Sequence, residues 1–405
     1  MLDDFGQRIR DIILSEMDLS RELSDEEICD LIGSVVSREA RDRPMTIKDR
    51  AELERTIFNS LRKLDVLQEL VDDRDVTEIM VNGPNDIFYE KAGRIQRFKG
   101  HFSSEEKLED VIQQIVGRHN RVVNQASPIV DTRLSDGSRV NIVLNPISIG
   151  GSAVSIRKFP EHPMSMERLV EIEALSPEVA RLLQILTQAK YNIFISGGTG
   201  SGKTTFLNAL SQYIPDDERI ITIEDSAELQ ILGAKNIVRL ETRNANTDGV
   251  TPITIRDLIR TALRMRPDRI IVGECRGAEA LDMLQAMNTG HDGSLSTGHA
   301  NSPHDIISRI ETMVLQGQDF PLNAIRQQIA SGIDIIVQLG RLRDKSRRVL
   351  EISEVDGFMD GEIVLHTLYR FEENAVLDSG RIQGFLKKEG TLCHTDKLMA
   401  AGLSV

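Results

Sequence analysis

Read from its first residue, the chain places apolar side chains at helical spacing. Ser24 followed by Glu27 has the form of a capping box. Ile28, Leu31, Ile32 and Val35 then recur on one face. Arg41-Asp42-Arg43-Pro44 breaks this pattern, and a second helix is predicted over 48–61, with Leu53, Ile57 and Leu61 on one side. Residues 1–71 therefore read as a helical segment. From Val76 the period changes to two. Residues 77–82 predict a strand stopped by Gly83-Pro84, and 87–90 and 94–98 flank Ala92-Gly93 as a hairpin. Leu108, Val111, Ile112, Ile115 and Val116 return to helical spacing, and strands are predicted over 139–144 and 153–158. This makes a small α+β domain over 72–159. Pro160-Glu161-His162-Pro163 interrupts both periods, so 160–167 reads as a linker.

The remainder, 168–405, alternates. Val179, Leu182, Leu183 and Leu186 predict a helix, Ile193, Phe194 and Ile195 a buried strand, and Phe206, Leu207 and Leu210 another helix. Strands over 219–224, 237–240 and 270–272 and a helix over 254–265 follow. That order implies a parallel sheet with helices on both faces. Residues 348–355 and 362–371 flank Met359-Asp360-Gly361 as a further hairpin, and beyond Glu372 the pattern says little.

The chemistry begins at the strand 193–195. Gly197-Gly198-Thr199-Gly200-Ser201-Gly202-Lys203-Thr204 fits G-x-x-x-x-G-K-[ST], and Thr205 opens the helix behind it. In that context the glycines let backbone N–H groups approach phosphate oxygens, the helix dipole favours the same anion, Lys203 meets the β- and γ-phosphates, and Thr204 is the expected Mg²⁺ ligand. A ligand-free glycine turn is the competing reading, and the flanking strand and helix argue against it. The strand 269–272 ends in Gly273-Glu274, which makes Glu274 the candidate for polarising water. The tip Glu224-Asp225 of strand 219–224 offers metal and water contacts, with Mg²⁺ ligation by Glu224 as one expectation and an N-cap role for Asp225 as its competitor. His291 and His299 are eight apart with no third ligand at suitable spacing, so a γ-phosphate sensor is considered in place of a metal site. Arg133, Arg139 and Arg157 lie at strand edges and read, by pattern, as solvated charge. Arg256, Arg260 and Arg264 recur every four residues, as an anion-facing stripe or, more simply, a solvated face.

Composition narrows the classes. The 405 residues suffice for two or three domains, and the formal net charge of −14 argues against nucleic acid as the main partner. No apolar run approaches the ~18 residues of a membrane span, and the acidic start Met1-Leu2-Asp3-Asp4 lacks the features of a secretory signal. Cys29, Cys275 and Cys393 are too scattered for a disulfide framework or a zinc set and fit a reducing cytosol, with Cys275 a small buried residue.

Together these motifs resemble the ATPases of the type II/IV secretion superfamily, specifically the CpaF-type motor of Tad/Flp pili. The likeness covers about 72–381. It is carried by Val76-Thr77-Glu78-Ile79-Met80-Val81-Asn82-Gly83, by Ser127-Pro128-Ile129-Val130-Asp131 with Arg133, and by the glycine loop and Ile223-Glu224-Asp225. The segment from Leu263 through Glu274 to His291 is the most specific. Gly298 departs from the pattern, where many relatives carry an apolar residue. The resemblance implies an α/β fold: a RecA-like P-loop NTPase domain with a mostly parallel sheet, preceded by a small α+β (PAS-like) domain and N-terminal helices. It implies that Glu224 belongs to an Asp box, Glu274 is the Walker B glutamate, and His291 and His299 form a His box. It makes Arg133, Arg139 and Arg157 arginines that reach the phosphates of ATP bound between two domains. The implied protein is a homo-hexameric, cytoplasmic ATPase at the cytoplasmic face of the inner membrane. There it works with a membrane platform protein and powers pilus assembly or protein secretion with ATP and Mg²⁺. A conjugation or type IV secretion ATPase and a nucleotide-gated assembly scaffold stand as alternatives.

Overall fold

The computed structural model describes residues 4–18, 20–21, 23–41, 45–91, 93–118, 122–159, 163–243 and 251–405. These form two compact units, 1–161 and 162–405. Three sequence expectations fall partly outside the described residues: the breaker at 42–44, the turn residue Ala92, and the linker at 160–162.

The first unit opens with α1 (Asp4–Glu16), α2 (Asp25–Glu39), α3 (Ile47–Arg62) and the short α4 (Gln68–Asp72). Ser24 caps α2 and Thr46 caps α3, each through a reciprocal capping box with Glu27 and Asp49. Helical spacing then brings Ile9, Ile13, Ile28, Ile32, Val35, Val36 and Ile57 into one small core. The unit continues through β1 (Val76–Asn82), β2 (Ile87–Lys91), β3 (Arg94–Arg97), α5 (Glu105–Gly117), β4 (Ile129–Arg133), β5 (Arg139–Val143) and β6 (Ala153–Arg157). The strands form an antiparallel sheet in the order β3-β2-β1-β6-β5-β4. Leu108, Val111, Ile112, Ile115 and Val116 of α5 share a core with Ile79, Val81, Val140, Ile142, Val154 and Ile156. β4 escaped the periodicity reading because Thr132 fills one of its two inward positions.

The second unit contains α6 (Met166–Glu171), α7 (Pro177–Gln188), β7 (Ile193–Gly197), α8 (Lys203–Ser211), β8 (Arg219–Glu224), β9 (Asn236–Glu241), α9 (Ile255–Ala262) and β10 (Arg269–Val272). It goes on through α10 (Glu279–Asn288), β11 (Leu295–Gly298), α11 (Pro303–Gly317), α12 (Leu322–Gly332), β12 (Ile335–Arg341), β13 (Arg347–Met359), β14 (Glu362–Val376), β15 (Ile382–Lys388) and α13 (Asp396–Ala401). Its sheet runs β15-β14-β13-β12-β7-β11-β10-β8-β9. The six strands from β12 to β9 are parallel, and β13 to β15 continue the sheet antiparallel. Ile193 and Ile195 of β7 pack with Leu183, Leu186, Leu207 and Leu210 of α7 and α8. Phe194 points the other way, into a core with Ile259, Leu284, Ile310 and Ile329 of α9 to α12. A central strand covered on both faces is continuously apolar, which is why the run 193–195 was so legible.

The amino-terminal edge of this sheet holds a buried ion pair. Arg269, fully buried at the start of β10, donates through Nε and Nη2 to the Glu218 carboxylate and through Nη1 to the Thr187 carbonyl at 2.7 Å. Removing one partner of such a pair strands a buried charge and costs about 3–5 kcal/mol. Glu218→Ala is therefore expected to lower the melting temperature by roughly 10 °C. A melt within a degree or two of wild type, followed by circular dichroism, would show the pair to be dispensable.

Candidate active site

The loop from Gly197 to Gly202 joins β7 to α8 at the carboxyl edge of the parallel strands, where open α/β sheets bind ligands. Gly202 caps α8 with φ +95°, a left-handed conformation that favours glycine. Gly197 is required for a different reason. A Cβ there would stand 2.8 Å from the Leu339 carbonyl oxygen of β12 and 2.5 Å from Ser201 Oγ. Its smallness thus serves strand packing rather than approach to a ligand. Gly198, Thr199, Gly200 and Ser201 complete the loop, and Thr204 and Thr205 are half-buried in the first turn of α8.

Lys203, the first residue of α8, is buried, and its Nζ donates to the carbonyls of Gly197 and Gly198, both at 3.0 Å. Nζ also lies 3.3 Å from His299 Nδ1, and His299 Nε2 lies 3.0 Å from Glu274 Oε1. Lys203, His299 and Glu274 thus form one line across the ends of β7, β11 and β10. Burial pushes the Lys203 ammonium below its ordinary pKa, with Glu274 opposing. Burial and then the Lys203 charge lower His299, which is therefore neutral near pH 7. Lys203 Nζ also lies 3.5 Å from Nε2, so the ammonium faces the ring side-on, and Glu274 Oε1 is buried without a hydrogen-bond partner. Burial alone would raise the Glu274 carboxyl, but the hydrogen bond and charge of Arg276, backed by Lys203, hold it below the usual range.

Glu224, His291, Arg256 and Arg260 each have contacts that their spacing did not show. Glu224 is buried, and its Oε1 accepts from the backbone N–H of Glu228 at 2.8 Å and of Leu229 at 2.9 Å. That oxygen, Oε1, turns the chain after β8. His291 stands at the opposite edge of the sheet. Ser294 Oγ donates to its carbonyl at 2.7 Å, and the Ser294 carbonyl accepts from Ile193 at the start of β7, whereas the glycine loop leaves the end of β7. Within this subunit His291 does not join the line. Arg256 and Arg260 are not simply solvated. Their Nε atoms lie 2.7 and 2.9 Å from the two oxygens of Asp282, whose side chain is 5% exposed, and so tie α9 to α10.

Arg133, Arg139 and Arg157 belong to the first unit and occupy one register line. Arg133 is opposite Arg139, and Arg139 is opposite Arg157. Residues paired this way share a face, here the one opposite the core face that carries Val140 and Ile156. Asp131 Oδ1 lies 3.6 Å from Arg139 Nη2. Glu78 of β1 stands opposite Arg157 and continues the line, so acids border the row of arginines.

Three residues that pattern reasoning missed also touch the site. Arg276 Nη2 donates to Glu274 Oε2 at 2.8 Å. Arg347 Nε donates to the Gly200 carbonyl at 2.9 Å from 147 positions away. Gln338 Nε2 donates to the Ala300 carbonyl at 3.3 Å, fastening the segment beside His299. Only Arg276, two positions after Glu274, left a sequence signal. Gly298 also has a packing reason: a Cβ there would stand 2.9 Å from Phe194 Cε1 and 3.0 Å from Ile306 Cδ1.

The residues suit a nucleoside triphosphate. A buried ammonium and the amino terminus of α8 converge on one loop, an environment that anionic oxygens would compensate. Among the described residues no group of three or more His, Cys, Asp or Glu side chains forms a metal cage, and no helix is long and apolar enough to cross a membrane.

Comparison with known proteins bears on the assignment. The conjugal transfer protein TrbB of Rhizobium radiobacter is 31% identical over 334 residues, 81% of this chain and 98% of that protein. The type IV secretion system protein PtlH of Bordetella pertussis is 33% identical over 320 residues, 73% of this chain and 94% of that protein. Among solved structures, the pilus retraction motor PilT with bound ADP aligns with TM-score 0.55 and 22% identity, over 82% of this chain and 84% of that one. The ATPase DotB of Legionella pneumophila aligns with TM-score 0.50 and 22% identity, over 72% and 80%. These two likenesses speak to the fold alone. Residues 60–381 match the family described as type II/IV secretion system protein, and the chain belongs to that family.

Proposed function

We propose that the protein is an ATP-hydrolysing motor of a type II/IV secretion machine. The observation that carries this reading is the line Lys203–His299–Glu274 beside the glycine loop, with 3.3 and 3.0 Å between successive members. In the proposed reaction Lys203 and the loop N–H groups hold the β- and γ-phosphates. Glu274 orients a water whose oxygen attacks the γ-phosphorus. The bond to the β–γ bridging oxygen breaks, ADP leaves, and the water's proton passes to the released phosphate. Mg²⁺ held at Thr204 would neutralise charge on the phosphate oxygens. Arg133, Arg139 and Arg157 would add positive charge to the transferring group.

The printed names of the curated relatives support conjugal transfer or type IV secretion as the machine. The CpaF-like motifs favour a second reading, in which the motor assembles a Tad pilus. Both readings propose a homo-hexamer that meets the membrane through a platform protein, which light scattering with and without nucleotide would check. The net charge of −14 favours protein over DNA as the immediate partner, and a salt-dependent DNA titration tests that.

Phosphate release from ATP by the purified chain, with Mg²⁺ and with EDTA, tests the enzyme reading. Binding without turnover, with or without a membrane platform protein, would leave the nucleotide-gated scaffold. Arg139→Ala is expected to lower turnover about tenfold, the value of one hydrogen bond to a charged group. Its melting temperature should hold, because the side chain lies off the core face and relief of like-charge contacts offsets the lost pairing. Unchanged turnover in the Arg133, Arg139 and Arg157 single variants would remove the row from the mechanism.

A further inference from the structure

We propose that Arg276 is a positioning residue that sets the orientation of the Glu274 carboxylate, an inference that rests on the ATPase reading above. The segment after β10 is neither helix nor strand, and it is anchored by its own backbone. The N–H groups of Arg276 and Gly277 both donate to Glu279 Oε1, at 2.7 and 2.8 Å. The guanidinium then folds back on its own strand end. Nη2 meets Glu274 Oε2 at 2.8 Å, and Nη1 lies 3.9 Å from Asp225 Oδ2. The Arg276 side chain is 60% exposed and that of Glu274 only 19%.

The two carboxylate oxygens therefore have different jobs. Oε2 faces outward to Arg276, and Oε1 faces inward, 3.0 Å from His299 Nε2. Without Arg276 the carboxylate would be free to rotate about its last bond. Its pull toward the Lys203 and His299 side would then have no counterweight. A planar fork held between two acids resists that rotation in a way a single ammonium does not. The competing view is an ordinary rim ion pair without effect on turnover.

The outer side of Arg276 opens on a cleft of about 340 Å³ that Asp225, Thr242, Arg243, Thr254, Gly277 and Glu279 also line. A small cation can enter there, which makes the inference testable by chemical rescue. In the full chain, R276A is expected to lower kcat by roughly 10–50-fold while KM for ATP stays within about threefold, as when a reacting group is misplaced rather than removed. Guanidinium chloride, far below denaturing concentrations, should restore several-fold of the lost kcat. Sodium chloride at equal ionic strength should not, and neither salt should rescue R276A combined with E274Q. Wild-type kcat in R276A, equal rescue by sodium chloride, or rescue that persists in the E274Q background would each overturn the proposal. If R276A does not fold, R276K carries the test: it keeps the charge without the fork and should lower kcat about tenfold at unchanged KM. Undiminished kcat there overturns the proposal too. A wild-type chain that releases no phosphate from ATP defeats the underlying reading and this one with it. A fully active R276A beside an inactive E274Q defeats this one alone.

Discussion

Glu274→Gln is expected to bind ATP with nearly wild-type affinity and to hydrolyse it roughly 10³-fold more slowly. The substitution keeps the shape of the side chain and removes only its charge and its capacity to accept at both oxygens. The role being removed can be specified from its surroundings. Arg276, with Lys203, outweighs burial and holds the carboxyl below the ordinary range, so it is ionised throughout the neutral range. A carboxylate of that kind is a weak base. Its contribution is then to orient and polarise water, and the proton leaves as the phosphate departs. Phosphate release and the binding of a fluorescent ATP analogue, measured on one preparation, check both halves. Turnover at the wild-type rate would remove Glu274 from the mechanism, and loss of binding would recast it as a nucleotide ligand.

Lys203→Ala is expected to weaken ATP binding by about 10²–10⁴-fold, because the lost ammonium would contact two phosphate oxygens at about 1.5–3 kcal/mol each. The same change should leave the melting temperature of the nucleotide-free protein unchanged or slightly raised. Burial disfavours the charged form of Lys203, so the fold without ligand tolerates that charge rather than gaining from it. The two readouts moving in opposite directions would mark a residue kept for its ligand. A large fall in melting temperature with intact affinity would instead mark a structural lysine, tied to the Gly197 and Gly198 carbonyls for the sake of the loop.

The parts of this molecule that were legible in sequence are those where one strand or one helix face carries the signal. The run 193–195 is apolar on both sides because helices cover both sides, and the glycine loop follows it at once. The helix faces of α2, α3 and α5 were equally clear, with Ser24 as the cap of α2, whereas the Thr46 cap of α3 emerged only in the structure. What stayed hidden depends on pairing between distant segments. β11 reads Leu-Ser-Thr-Gly, four buried residues of which only one is a large apolar side chain. β12 begins with three apolar residues just after α12, too few to separate a strand from the end of a helix. β15 carries Gly384 and alternates weakly. The three arginines were visible singly, yet their alignment exists only through the β4–β5–β6 register. Arg256 and Arg260 looked solvated because Asp282, which they share, lies more than twenty positions away. His291 and His299 are eight positions apart, and β11 between them carries them to opposite ends of that strand.

The shared register of Arg133, Arg139 and Arg157 also limits how evolution or an engineer can alter that surface. Inserting a single residue in β5 would swing Arg139 toward the hydrophobic interior and bring Val140 out into water, so one step of chain length would undo the whole array. Graded change is open only by exchanging side chains in place, and families of loop-length variants around these strands should keep the spacing from Arg139 to Val143 intact.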